Sequence, residues 1–164
     1  MMERQYIVHP IPPTFDADSE ILILGSFPSA RSREMGFYYG HPRNRFWTVM
    51  AALYGEDVPV GVDARRSFLL RNRVAAWDVI GSCTIAGSSD SSIRDVTAND
   101  LRPILSGSRV QRIFVNGKTA AKMYRRYAQP VIGIDAVCLP STSPANASYS
   151  LERLISEWKA IIFP

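Results

Sequence analysis

The apolar positions of the chain fall into two rhythms. Residues 20–25 carry Ile21, Leu22, Ile23 and Leu24 without a polar break. Such a run predicts a strand covered on both faces, as in a parallel sheet. Further strands are predicted over 74–79 (Val-Ala-Ala-Trp-Asp-Val), over 111–115 (Gln-Arg-Ile-Phe-Val) and over about 134–139. Between them the spacing shifts to threes and fours. Phe46, Val49, Met50 and Leu53 form one helical stripe, predicted to start near Pro42 and to stop at Gly55. Helices are also expected over 62–71, from Gly117 to about 128, and from near 150 to 162. Thr97 and Asp100 fit the S/T-x-x-D/E helix-start pattern. Residues 81–93, with Gly87-Ser88-Ser89-Asp90-Ser91-Ser92, read as a polar loop, and residues 1–18, with Pro10, Pro12 and Pro13, as an extended arm. The alternation predicts an α/β fold: a three-layer α/β/α sandwich around a short, mainly four-stranded parallel sheet, residues 1–164 forming one domain.

Ligands bind where strands of a parallel sheet end, so the loops leaving those ends set the chemistry. The first reads Gly25-Ser26-Phe27-Pro28-Ser29 and continues to Tyr38-Tyr39-Gly40-His41-Pro42-Arg43-Asn44-Arg45-Phe46-Trp47; the last reads Leu139-Pro140-Ser141-Thr142-Ser143-Pro144-Ala145-Asn146. Both are rich in hydroxyls, amides and aromatic rings and poor in carboxylates. That suits gripping a flat polar ring and a phosphate backbone better than cleaving a peptide or holding a metal. Tyr38 and Tyr39 offer either stacking faces or loop anchors. Asn44 is either a helix cap or an amide whose oxygen orients a water. Asn116 is either half of an Asn-Gly turn or a reader of a base edge, and His41 either anchors its loop or touches phosphate or base.

Net charge changes this picture little. The chain carries +4, and of 19 basic residues only Lys118, Lys122 and Lys159 are lysine. Arg31, Arg33, Arg43 and Arg45 flank the first loop, and Arg125 and Arg126 lie on a later helix; the guanidinium fork suits phosphate, while solvated surface charge is the plainer reading. Cys83 and Cys138 lack the spacing of a disulfide framework or zinc site, the only histidines are His9 and His41, and Cys138 is expected in the core. Gly117-Lys118-Thr119 echoes a phosphate loop, but the upstream glycine of that motif would fall at Arg112 inside a strand, which argues against a nucleotide triphosphatase. No apolar run approaches the roughly 18 residues of a membrane span, so no membrane partner and a cytoplasmic location are expected.

The segment from Gly25 to Trp47 resembles the first motif of the uracil-DNA glycosylase superfamily. The resemblance is to the mismatch-specific enzymes in His41-Pro42-x-Asn44-Arg45-Phe46-Trp47, and closer to the hypoxanthine-DNA glycosylase branch. That branch has Gly-Ser/Thr-Phe-Pro-Ser, a Trp-Asp-Val strand end, a Gly-Ser-x-Asp-Ser loop, an Asn-Gly turn and Leu-Pro-Ser-x-Ser-Pro-Ala-Asn. These match Gly25 to Ser29, Trp77-Asp78-Val79, Gly87 to Ser91, Asn116-Gly117 and Leu139 to Asn146, and the similarity spans about 20 to 160. The resemblance implies a monofunctional glycosylase acting on a deaminated base flipped from damaged DNA, with hypoxanthine the leading substrate and uracil the alternative. A non-catalytic nucleic-acid-binding module is the reading from another class. Phe27 stands where the mismatch enzymes carry their water-positioning Asn; in the hypoxanthine branch the implied catalytic residue is the Asn of the His-Pro-x-Asn stretch, which maps onto Asn44. Gly25, Ser26, Phe27, Tyr39 and Asn116 are implied to bind the base, Tyr39 by stacking. Ser29, His41, Ser141, Ser143, Pro144, Ala145 and Asn146 are implied to bind DNA, without the leucine wedge of the mismatch enzymes. Asp78 and Asp90 read as turn residues or as shapers of the site. No cofactor and no metal are implied, and a monomer is expected.

Overall fold

The computed structural model describes residues 3–163. Its centre is a four-stranded parallel sheet of β2 (Ile21–Gly25), β3 (Val74–Asp78), β6 (Arg112–Asn116) and β7 (Ala136–Leu139), in the order β3-β2-β6-β7. Side chains alternate across a strand, so β2 feeds two cores. Ile21 and Ile23 join Phe46, Phe68, Phe114 and Trp158 on one face; Leu22 and Leu24 join Ile104, Val115 and Tyr124 on the other. Helices α2 (Phe46–Tyr54), α3 (Val62–Arg71) and α7 (Leu151–Trp158) cover the first face. Helices α4 (Arg102–Ser106) and α5 (Lys118–Met123), with the π-turn over 124–128 and the short α6 (Gln129–Ile132) that follow, cover the second. This is the expected three-layer sandwich.

A second sheet was not expected. β1 (Arg4–Val8) pairs antiparallel with β4 (Ile80–Ala86), which pairs with β5 (Arg94–Ala98). The extended arm is therefore partly a strand. Beyond it, Thr14 exchanges backbone hydrogen bonds with Ala76 and Trp77 Nε1–H donates to the Ile11 carbonyl, 2.9 Å. The arm thus closes the open edge of β3, where unpaired backbone groups would otherwise face solvent. The predicted polar loop over 81–93 is also corrected: Cys83 and Ile85 of β4 are buried, and the loop proper begins at Gly87.

Other boundaries move for local reasons. Thr97 starts no helix; it pairs with Ser82 in β5, and the Asp100 carboxylate accepts from the Arg102 N–H to cap α4. Helix α2 begins at Phe46 rather than near Pro42, because His41 to Arg45 form a turn. The last helix gives way to a 3-10 turn over 159–161. Cys138 is exposed, contrary to expectation, since β7 is the outer strand of its sheet. Among the described residues no helix is long and apolar enough to cross a membrane.

Candidate active site

The carboxyl ends of β2, β3 and β6 open into one cavity of about 730 Å³, walled on a further side by the loop after β7. Its floor depends on Gly25. A Cβ there would lie 2.5 Å from Asp78 Oδ1 and 3.2 Å from the Tyr39 hydroxyl, so only glycine lets both atoms approach the strand end this closely. Asp78 ends β3, and its other oxygen meets His9 Nε2 at 2.7 Å; the two side chains are only 7% and 1% exposed. Ile11 N–H donates to His9 Nδ1, 3.2 Å, so that nitrogen supplies a lone pair and His9 Nε2–H donates to Asp78 Oδ2. Tyr39 adopts a left-handed backbone, φ +52°, and its ring stacks on Phe46 with centroids 4.0 Å apart. Its buried hydroxyl has no hydrogen-bond partner. Burial, with the negative charge of Asp78 adding to it, pushes that hydroxyl well above the ordinary tyrosine range. The neighbouring Asn116 amide, which can only donate to it from Nδ2, opposes the shift and leaves the Tyr39 O–H proton unengaged.

Asn44 sits at the other wall. Its Oδ1 accepts from the Phe46 N–H, 2.9 Å, and from the Thr142 hydroxyl, 2.8 Å. Thr142 is fully buried, and Asn116 grips it twice: Asn116 Nδ2–H donates to Thr142 Oγ, 3.0 Å, and Thr142 N–H donates to Asn116 Oδ1, 3.1 Å. Because backbone N–H groups can only donate, both amides are oriented without ambiguity. The hydrogen bonds run Asn116 to Thr142 to Asn44, tying β6, the last loop and the start of α2 together. The Asn44 oxygen expected to face water is thus satisfied within the protein. Its amide hydrogens are the atoms it offers the cavity that it lines.

The mouth is mostly hydroxyl and amide. Ser29 caps α1 (Ala30–Met35) by accepting from the Ser32 N–H. His41 is exposed, its Nδ1 accepting from the Arg43 N–H. Pro144 and Ala145 form the exposed tip of the last loop. Beneath them Ser141 and Ser143 each accept from a backbone N–H two residues on, and Asn146 Nδ2–H donates inward to the Ser141 carbonyl. Arg45, grouped by sequence with phosphate-seeking arginines, donates instead to the Ser143, Asn146 and Tyr149 carbonyls and clamps this loop. Arg33 is engaged with the Pro28 and Gly87 carbonyls, which leaves Arg31 and Arg43 exposed at the rim. Tyr38 is a buried anchor whose hydroxyl donates to the Pro12 carbonyl.

Ser26 and Phe27 leave β2 together. Phe27 packs edge-on to the His9 ring at 5.8 Å, and Ser26 Oγ donates to Asp90 at 3.4 Å. Asp90 is an exposed residue of the loop after β4, yet desolvation of its carboxyl by the neighbouring cavity wall raises it above the usual range; the Ser26 and Thr119 hydroxyls oppose that shift and Asp78 adds to it. The fold therefore favours the protonated form. The stability that Asp90 contributes is fully present below the ordinary aspartate value, near pH ~4, and is lost as pH rises through the raised value. Asp90→Asn is expected to gain melting temperature over the parent progressively as pH rises above about 4; a thermal-melt difference that stays flat as pH rises contradicts this.

A family model described as the Uracil DNA glycosylase superfamily matches residues 12–162. The chain belongs to the uracil DNA glycosylase superfamily. A relative from Methanosarcina acetivorans named hypoxanthine DNA glycosylase is 34% identical over 155 residues, covering 92% of this chain and 94% of its own length. One of the same name from Methanosarcina barkeri is 32% identical, with coverages of 90% and 92%. A solution NMR structure from Methanosarcina acetivorans, provisionally described as a uracil DNA glycosylase, superposes with TM-score 0.79 at 34% identity, covering 94% of this chain and 96% of that one. In this superfamily member, sequence reading missed two side chains, one behind the cavity floor and one in its wall. His9 lies 69 residues from its partner with no linear signal. Thr142 occupies the one position of Leu139 to Asn146 that the resemblance left open.

Proposed function

We propose that this protein is a monofunctional DNA glycosylase that hydrolyses the N-glycosidic bond of deaminated bases, above all hypoxanthine in deoxyinosine, in base excision repair. The observation that carries the reading is the oriented Asn44 amide on the wall of the cavity at the strand tips, which is roomy enough for an extruded nucleotide. The names of the two relatives support the choice of base.

A glycosidic bond inside a duplex is out of reach, so the nucleotide must swing out of the stack at a cost of a few kcal/mol. Ser29, His41, Ser141, Ser143 and the Pro144-Ala145 tip, with Asn146 bracing it, offer the sequence-independent contacts that hold DNA over the opening. Gly25, Ser26, Phe27, Tyr39 and Asn116 surround the base. As the bond breaks, the sugar becomes cationic and the base gains negative charge. Little nucleophilic push is needed in such a transition state, so position dominates. An Asn44 N–H can hold a water by one lone pair and leave the other aimed at C1′, while backbone N–H groups at Ser26 and Phe27, which line the same cavity, can stabilise the leaving base as it becomes anionic. An abasic sugar and free base result.

Lys118 is exposed, and among the described residues no lysine lines the cavity to form a Schiff base. Matched duplexes carrying deoxyinosine, deoxyuridine or deoxyxanthosine, cleaved with alkali after incubation, test the substrate. Deoxyinosine is expected to be processed fastest, with no borohydride-trapped protein–DNA adduct. Faster uracil release, an adduct lost in Lys118→Ala, or DNA retained without base release would each overturn the corresponding part.

A further inference from the structure

We infer that His9, from the N-terminal arm, is a positioning residue for base selection: it holds Asp78 by Oδ2 and so aims Oδ1, beside the Tyr39 hydroxyl, at the lactam edge of the extruded base. The inference deepens the glycosylase reading and rests on it.

Three observations converge. Asp78 Oδ2 is taken by His9 Nε2–H, while Oδ1 is directed at the point above Gly25. The Tyr39 hydroxyl reaches the same point and is buried without a partner. An unpaired buried donor facing a half-paired buried carboxylate is costly in an empty protein, and a ligand offering the complementary pair removes that cost. A 6-oxopurine offers it: the N1–H donates to Asp78 Oδ1 and the adjacent C6 carbonyl accepts from Tyr39 O–H. Adenine presents the reverse order, an amino donor at C6 and a lone pair at N1. Anchored by its sugar, it sets lone pair against carboxylate. Deamination of adenine turns the mismatched edge into the matched one, so the floor distinguishes the lesion from its parent base. Asp78 and Tyr39 touch the base; His9 acts through Asp78.

The His9 lock makes an unusual prediction for Asp78→Asn. His9 Nε2–H still demands an oxygen, so the new amide must turn its NH₂ toward the cavity and present a donor where an acceptor stood. The readout is single-turnover base release from duplexes containing deoxyinosine or its 1-deaza analogue, which replaces N1–H by C–H without added bulk. The parent protein is expected to favour deoxyinosine by about 100-fold, since a site built around a hydrogen bond rejects a ligand lacking it. Asp78→Asn is expected to lose that preference together with most deoxyinosine turnover. Adding His9→Gln to Asp78→Asn frees the amide to flip and is expected to restore deoxyinosine release about tenfold, since regaining one buried hydrogen bond is worth that order. A merely structural role for His9 predicts further loss instead. Tyr39→Phe keeps the ring and its contact with Phe46, and is expected to slow deoxyinosine release while leaving the deaza ratio large. Equal release of deoxyinosine and its deaza analogue by the parent protein, or no rescue in the double variant, overturns the inference while leaving the glycosylase reading intact. Failure of the parent to release any deaminated base defeats that reading itself.

Discussion

Asn44→Ala is expected to slow base release by about 10²- to 10³-fold, the usual cost of removing one preorganised donor, while DNA affinity stays within a few-fold of the parent. Asn44→Asp separates the two ways an asparagine can work. Aspartate keeps an oxygen for the Phe46 N–H and the Thr142 hydroxyl, so its anchoring is preserved, but it replaces the cavity-facing N–H groups with an anionic oxygen. If the residue acted through a water-orienting oxygen, Asn44→Asp would remain active and gain rate as it ionises. The geometry assigns the oxygen to the protein and the hydrogens to the cavity, so Asn44→Asp is expected to be nearly as slow as Asn44→Ala. Single-turnover rates with excess protein, alongside binding to an uncleavable duplex, decide the matter.

Thr142→Val is expected to lower kcat by about 10- to 100-fold, on the scale reported for small misplacements of reacting groups, with KM almost unmoved. The hydroxyl is a relay: it receives from Asn116 and donates to Asn44, and it is wholly enclosed. Valine fills the same volume but leaves one amide donor and part of one amide acceptor unpaired in the interior, costing about 1–3 kcal/mol of stability. Thr142→Ser restores the hydroxyl and is expected to recover most of kcat. That rescue separates relay from mere packing. If serine and valine variants fall together, the methyl group matters and the relay does not.

The parallel sheet was legible because β2, β3 and β6 are continuous apolar runs covered on both faces, which few other structures accommodate. The antiparallel sheet was not. β1 is exposed over most of its length and carries no one-sided pattern, and β4 and β5 meet with irregular register around polar residues. Such strands are specified by pairing rather than by their own sequence. Cys138 shows the same limit from the other side, since an apolar run does not reveal that its strand lies at the sheet edge. Within the site, the glycine, aromatic and amide positions were marked by motif. The hydrogen bonds that determine which atom of each amide faces the cavity were not. Asn44 could be named from sequence; that its oxygen is bound by Thr142 could not, because the two lie 98 residues apart. His9 reaches Asp78 from behind the floor only because the arm pairs along β4 and passes over β3.

The most direct measurement is the chromatographic yield of free base from a duplex containing a single deoxyinosine, taken to completion with excess protein. One equivalent of free hypoxanthine, matched by one abasic site in an otherwise unbroken strand, is the result this account requires. A duplex that is bound, yet returns its inosine intact, contradicts it.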